Sequence, residues 1–160
     1  MMQSMWEALK DFQSAFGFTI SDKLTLESFT DDEEEKLLPS ISTAAKVLHH
    51  LSNISTTSER ALRVKLLCEE MSEYLDAEYD NNIIEIADGL TDIHYIAAGT
   101  EAVYGIPGEE LFNHIHTNNM SKLGKDGKPI KREDGKLMKP EGYQPPDVRA
   151  VLNKFNGGKL

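Results

Sequence analysis

Two short acidic blocks hold the residues of this sequence best suited to chemistry. The first is Glu69, Glu70 and Glu73 within Leu67-Cys-Glu-Glu-Met-Ser-Glu-Tyr-Leu75; the second is Glu85 and Asp88 within Ile83-Ile-Glu-Ile-Ala-Asp-Gly-Leu90. Residues three or four apart share a helix face, so Glu70 projects with Glu73, Glu69 with Glu73, and Glu85 with Asp88. Apolar residues flank both blocks, which separates them from an ordinary solvated charge run. Two carboxylates about 4 Å apart repel by roughly 4 kcal/mol at an effective dielectric near 20, so several such pairs erode a marginal fold. A hard divalent cation offsets that repulsion. Carboxylates without a cysteine set or a nearby paired-histidine motif point to Mg2+ or Mn2+ rather than zinc or copper. Calcium fits less well because there is no EF-hand loop, and a di-iron bundle needs Glu-x-x-His where this chain ends the step in Asp88. The competing reading has the acids merely covering outer helix faces beside Arg63 and Lys65, and it requires two blocks on paired helices to match by accident.

The elements that must position these acids read as helices. Trp6, Leu9, Phe12 and Phe16 recur at helical spacing before Gly17, a plausible C-cap. Asp31 to Glu35 reads as the acidic entrance to a following helix or a solvated loop, broken from a rigid ligand cluster by Leu37, Leu38 and Pro39. A second helix is expected over Ser42 to Leu51, with Ala45, Val47, Leu48 and Leu51 inward. The first acidic helix starts at a Thr57 or Ser58 cap and carries Val64, Leu67, Met71, Tyr74 and Leu75 as its buried stripe. After Asp80-Asn81-Asn82, the second runs through Ile83, Ile86, Ala87, Leu90, Ile93, Ala97 and Tyr104 to Gly105-Ile-Pro-Gly108. So short a connection makes the two acidic helices antiparallel neighbours. A further helix is expected from Glu109 to about Leu123. Beyond Gly124 the Asp-Gly pairs at 126–127 and 134–135 predict a small hairpin or ordered lid rich in Lys and Arg.

Composition sets the outer limits. A chain of 160 residues, 39% hydrophobic, can bury a core as one domain, here read as 1–160 with a helical part to about 123 and a basic, turn-rich part from 124. A formal charge of -10 argues against broad binding to nucleic acid or an anionic membrane. The N-terminus lacks a signal-peptide pattern and no segment approaches spanning length, so a cytoplasmic protein is expected. Cys68, the one cysteine, excludes an intrachain disulfide framework and reads as packing. His94 also follows the core pattern.

Taken together, Glu69-Glu70-x-x-Glu73 followed by Glu85-x-x-Asp88 resembles the signature of the all-α nucleoside triphosphate pyrophosphohydrolases, the superfamily of MazG, phosphoribosyl-ATP pyrophosphohydrolase and dimeric dUTPase. More narrowly the chain is similar to single-domain MazG-like proteins of phages and bacteria, through Asp11-Phe-Gln-Ser-Ala-Phe-Gly17, Ala87-Asp-Gly-Leu-Thr-Asp-Ile-His-Tyr95, His116-Thr-Asn-Asn-Met-Ser-Lys122, Asp126-Gly-Lys-Pro-Ile130, Arg132-Glu-Asp-Gly-Lys136 and Gly142-Tyr-Gln-Pro-Pro-Asp147. Thr25 to Leu51 stays outside the resemblance. It implies an all-α, four- to five-helix bundle with a C-terminal hairpin or lid, and hydrolysis of a nucleoside triphosphate to the monophosphate and pyrophosphate for nucleotide pool control. By the same resemblance Glu70, Glu73, Glu85 and Asp88 match metal ligands for Mg2+ or Mn2+, and Glu69 a residue that helps bind metal or orient the attacking water. Asn119 and Lys122, three apart, match contacts to the phosphate chain, with His116 beside phosphate or base. Asp92 is placed behind the ligands or against Lys122.

The resemblance further implies a homodimer or homotetramer, a purine, dGTP-like preference, and the host cytoplasm for a phage-encoded chain. The alternative in a different class is a noncatalytic helical module that binds a nucleotide or partner through the same acidic face. The basic C-terminal segment reads equally as a lid over polyphosphate and as a tail held by Tyr143 and the prolines.

Overall fold

The computed structural model describes residues 4–132 and 136–160; the Asp-Gly turn expected at 134–135 lies outside the described residues. Seven helices are found among them: α1 (Met5–Ala15), α2 (Asp31–Lys36), α3 (Leu38–Ser52), α4 (Glu59–Tyr79), α5 (Ile83–Tyr104), α6 (Gly108–Met120) and α7 (Val148–Asn156). The fold is all-α, as expected, with more helices than the four or five anticipated. Among the described residues the expected hairpin region carries isolated antiparallel bridges, Leu123 with Pro129 and Lys131 with Leu137. Contacts divide the chain into two compact units, 25–105 and 1–24 with 106–160, a division that does not follow the change of composition at 123/124.

In the first unit α2 packs on α3, α3 on α4 and α4 on α5. Thr30 starts α2 with a capping box: its hydroxyl accepts from the Glu33 backbone N–H, and the Glu33 carboxylate accepts from the Thr30 N–H at 2.9 Å. The Asp31–Glu35 run is therefore a short helix of its own, closed by a Lys36–Asp32 ion pair. Pro39 then falls in the first turn of α3, where its missing N–H costs nothing, so α3 begins at Leu38 rather than Ser42. The helices meet through small residues: Ala45, Ser52, Ser72, Ala77 and Gly89 are buried with Ile86. This corrects the expected stripes. Val47 and Val64, expected inward, are 55% and 58% exposed, and Leu51, Met71, Leu90 and Tyr104 are also exposed. Small side chains let helix backbones approach closely, and the larger apolar residues flank those contacts instead of filling them.

In the second unit α1 packs on α6 and α6 on α7. Ser4 and Glu7 form the capping box of α1, and Gly17 takes the left-handed φ of 69° just past its end. Phe16 is fully buried and stacks on Phe12 with ring centroids 4.3 Å apart. Helix α7, absent from the sequence reading, starts where the Asp147 carboxylate accepts from the Ala150 N–H at 2.9 Å.

Candidate functional site

Both acidic blocks lie in the unit 25–105, on α4 and α5. Ser58 caps α4 by accepting from the Ala61 N–H at 3.2 Å, and Arg63 pairs with Glu59 one turn apart at 2.9 Å. After α4 the chain turns in three residues. Asn81 takes the left-handed conformation at φ 54°, which Asn tolerates better than most side chains. Asn82 then caps α5, its side-chain oxygen accepting from the N–H groups of Ile84 at 3.2 Å and Glu85 at 3.5 Å. Glu85 thus occupies the first turn of α5, where the helix dipole favours a negative charge.

The two helices return alongside one another, and Gly89 touches Tyr74 where they cross. That contact fixes the register. Glu73 and Asp88 each precede a contacting residue, and one turn farther from the connection Glu70 comes level with Asp92. Burial is the first cause that raises the Glu70 pKa above the ordinary carboxylate value, and the neighbouring charges of Glu73, Asp92, Glu69 and Asp88 add to it. Glu70 and Asp92 are half-buried, while Glu69, Glu73, Glu85 and Asp88 are exposed. The structure therefore gathers Glu69, Glu70, Glu73 and Asp88 into one electrostatic neighbourhood and adds Asp92, while Glu85 stands one turn nearer the connection. The ion pairs Lys36–Asp32 and Arg63–Glu59 do not engage these acids.

Among the described residues no three His, Cys, Asp or Glu side chains stand close enough to hold a metal ion as they lie. The donors nonetheless fit a hard divalent cation by type. They are oxygen-only, arise from facing helices, and include a carboxyl whose charged form the site disfavours until positive charge is supplied. Cys68 is half-buried on α4 and contributes no second thiol.

The residues expected on the phosphate side belong to the other unit. Helix α6 ends at Met120, three residues short of the expected limit, so Lys122 lies just beyond it. Asn119 and Lys122 still meet: the Lys122 ammonium donates to Asn119 Oδ1 at 2.7 Å. His116 stacks parallel to Phe112 with centroids 6.0 Å apart, and the Nε2 of His114 is buried without a hydrogen-bond partner. One tie escaped the sequence reading. Tyr143 donates its hydroxyl to Asn118 Oδ1 at 2.6 Å, and the Asn118 amide donates to the Gln144 carbonyl at 2.7 Å. This clamps the turn-rich segment to α6, with Lys139 over the Tyr143 ring at 5.1 Å. The sequence marks Tyr143 as an anchor; its partner, 25 residues away, carries no local signal.

The acids lie on a pair of antiparallel helices in an all-α fold, and comparison with known proteins shows what this chain is similar to. Residues 44–119 match the family model described as Phosphoribosyl-ATP pyrophosphohydrolase. The match takes in all five acids of the two blocks and Asn119, and it begins inside the stretch that the sequence motifs left uncovered. The resemblance read from the motifs thus holds for this segment. A solved structure provisionally described as an NTP pyrophosphohydrolase from Exiguobacterium sp. 255-15 has the same fold: TM-score 0.60, 24% identity, 98% of this chain and 99% of that one covered. An uncharacterized protein, L479, of Acanthamoeba polyphaga mimivirus is 33% identical over 98 residues, 59% of this chain and 36% of its own length. The chain spans about a third of that curated relative. Among the described residues no helix is long and apolar enough to cross a membrane.

Proposed function

We propose that this protein hydrolyses a nucleoside triphosphate to the monophosphate and pyrophosphate, using the acids of α4 and α5. The observation that carries the reading is the grouping of Glu73, Asp92, Glu69 and Asp88 around the half-buried carboxyl of Glu70, whose pKa is raised by burial first and then by these like charges. Glu70, Glu73, Glu85 and Asp88 would hold Mg2+ or Mn2+, with Glu69 beside them. Such an ion lowers the pKa of bound water and neutralises phosphate oxygens. The Glu69 carboxylate would help bind the ion or orient the attacking water by accepting a hydrogen bond from it, and fixed positions favour in-line attack. By the resemblance, Lys122, whose ammonium donates to Asn119, would supply positive charge to a phosphate chain, and His116 would contact phosphate or base.

A purine, dGTP-like preference completes the proposal, resting on the resemblance to phage MazG-like proteins. Assembly as a homodimer or homotetramer is supported by the apolar side chains left outside the helix contacts of this unit, among them Val64 and Tyr95, and the cytoplasm is the proposed compartment. The test is pyrophosphate release from a panel of ribo- and deoxynucleoside triphosphates with Mg2+ or Mn2+. Release that depends on the cation and is lost in Glu73→Gln is expected. Nucleotide binding without release would favour the noncatalytic helical module instead.

A further inference from the structure

We propose that Gly89 is a positioning residue, whose missing side chain sets the spacing of α4 and α5 where Glu73 and Asp88 face the cation. This rests on the cation-dependent reading of the acids and assigns a role outside the ligand set. A Cβ built on Gly89 would lie 3.1 Å from the Cα of Tyr74, 3.1 Å from its Cβ and 3.2 Å from its N. Two of these three atoms are backbone, so no change of rotamer relieves the contact. Helix α4 itself must give way by a few tenths of an ångström.

Glycine inside a helix is less favourable than alanine by about 1 kcal/mol, so a buried Gly in the middle of a 22-residue helix calls for a packing reason. The same helix supplies its own contrast. At Gly99 the nearest atom to a built Cβ is Arg63 Nη1 at 3.8 Å, an ordinary contact. Tyr74 directly follows Glu73 and Gly89 directly follows Asp88, so this close approach of the helices is one peptide from an acid on each. Any separation there passes straight to both carboxylates, and the short Asp88 side chain has little reach to recover it. Mg2+ holds oxygen ligands at about 2.0–2.1 Å in near-octahedral geometry, whereas Ca2+ accepts about 2.3–2.6 Å and flexible geometry. Widening the pair should therefore penalise the smaller ion selectively.

The experiment compares the full-length wild-type protein with Gly89→Ala and Gly99→Ala. Mg2+ and Ca2+ affinities are measured by calorimetry and folding by circular dichroism. Gly99→Ala is expected to bind both ions like the wild type. Gly89→Ala is expected to fold, to bind Mg2+ about tenfold or more weakly, as for removal of other groups that orient ligands, and to keep its Ca2+ affinity within about threefold. Wild-type Mg2+ affinity in Gly89→Ala overturns the proposal. So does an equal loss of both ions, or failure of that variant alone to fold, since ordinary packing would then account for the glycine. A wild-type protein that binds neither ion and releases no pyrophosphate is a different result: it removes the reading of the site, and the role of Gly89 with it.

Discussion

Replacing Glu70 by glutamine should stabilise the cation-free protein while disabling it. Glu70 is half-buried and feels the charges of Glu73, Asp92, Glu69 and Asp88. Like-charged neighbours on a helix surface cost about 0.2–0.5 kcal/mol each. Counting Glu73 and treating Asp88 and Asp92 alike across the helix pair, removal of the Glu70 charge returns about 1 kcal/mol, to which relief of its burial adds. For a chain of this size that corresponds to a rise in unfolding midpoint of about 2–4 °C. In the wild type, a cation at a hundredfold excess over its dissociation constant contributes about 2.7 kcal/mol and raises the midpoint by more than the substitution does. Scanning calorimetry at neutral pH, in chelator and in excess Mg2+, reads both effects. The wild type should gain strongly from Mg2+; Glu70→Gln should start higher, gain little and release no pyrophosphate. A lower midpoint for Glu70→Gln in chelator, or a wild type indifferent to Mg2+ and Mn2+, would refute the reasoning.

Three further outcomes are expected. Because the Glu70 pKa is raised in the folded protein, the folded form holds that proton more tightly than the unfolded one. Stability in chelator should therefore fall as pH rises from about the ordinary value of 4.5 through the raised Glu70 value, and this component should vanish in Glu70→Gln, as read by denaturant titration across pH. Asn82→Ala removes the cap that accepts from Ile84 and Glu85 and should cost about 1 kcal/mol in the same titration, while Asn82→Asp should restore it. Asn118→Ala breaks both hydrogen bonds that hold Tyr143 and Gln144, so limited proteolysis should cut the 139–146 segment faster than in the wild type; unchanged cleavage would show that the clamp does not hold the segment.

How far the sequence reached follows from how local each signal is. Helices α4 and α5 were legible because Ser58, Asn82 and Gly105 punctuate them within a residue or two of the ends, and the acid spacing is a property of one helix at a time. Helix α2 had a readable Thr30-x-x-Glu33 box, and α7 had Asp147 before Val148, Val151, Leu152 and Phe155, yet both are short and lie in stretches dominated by charge or turns. The apolar stripes went astray for a different reason. Periodicity marks which face of a helix is apolar but not what covers it, and here Ala45, Ser72, Ala77 and Gly89 take the helix contacts. The place of Asp92 beside Glu70 depends on register between two helices, which the packing of α4 on α5 sets, and the Asn118–Tyr143 tie spans 25 residues.

The most direct test of the central claim is to follow a deoxynucleoside triphosphate by phosphorus NMR with the wild-type protein and Mg2+. The account requires signals of the nucleoside monophosphate and pyrophosphate to grow together, with neither appearing in chelator or with Glu73→Gln. Growth of the diphosphate with inorganic phosphate, or an unchanged spectrum across the nucleotide panel with both Mg2+ and Mn2+, would contradict it.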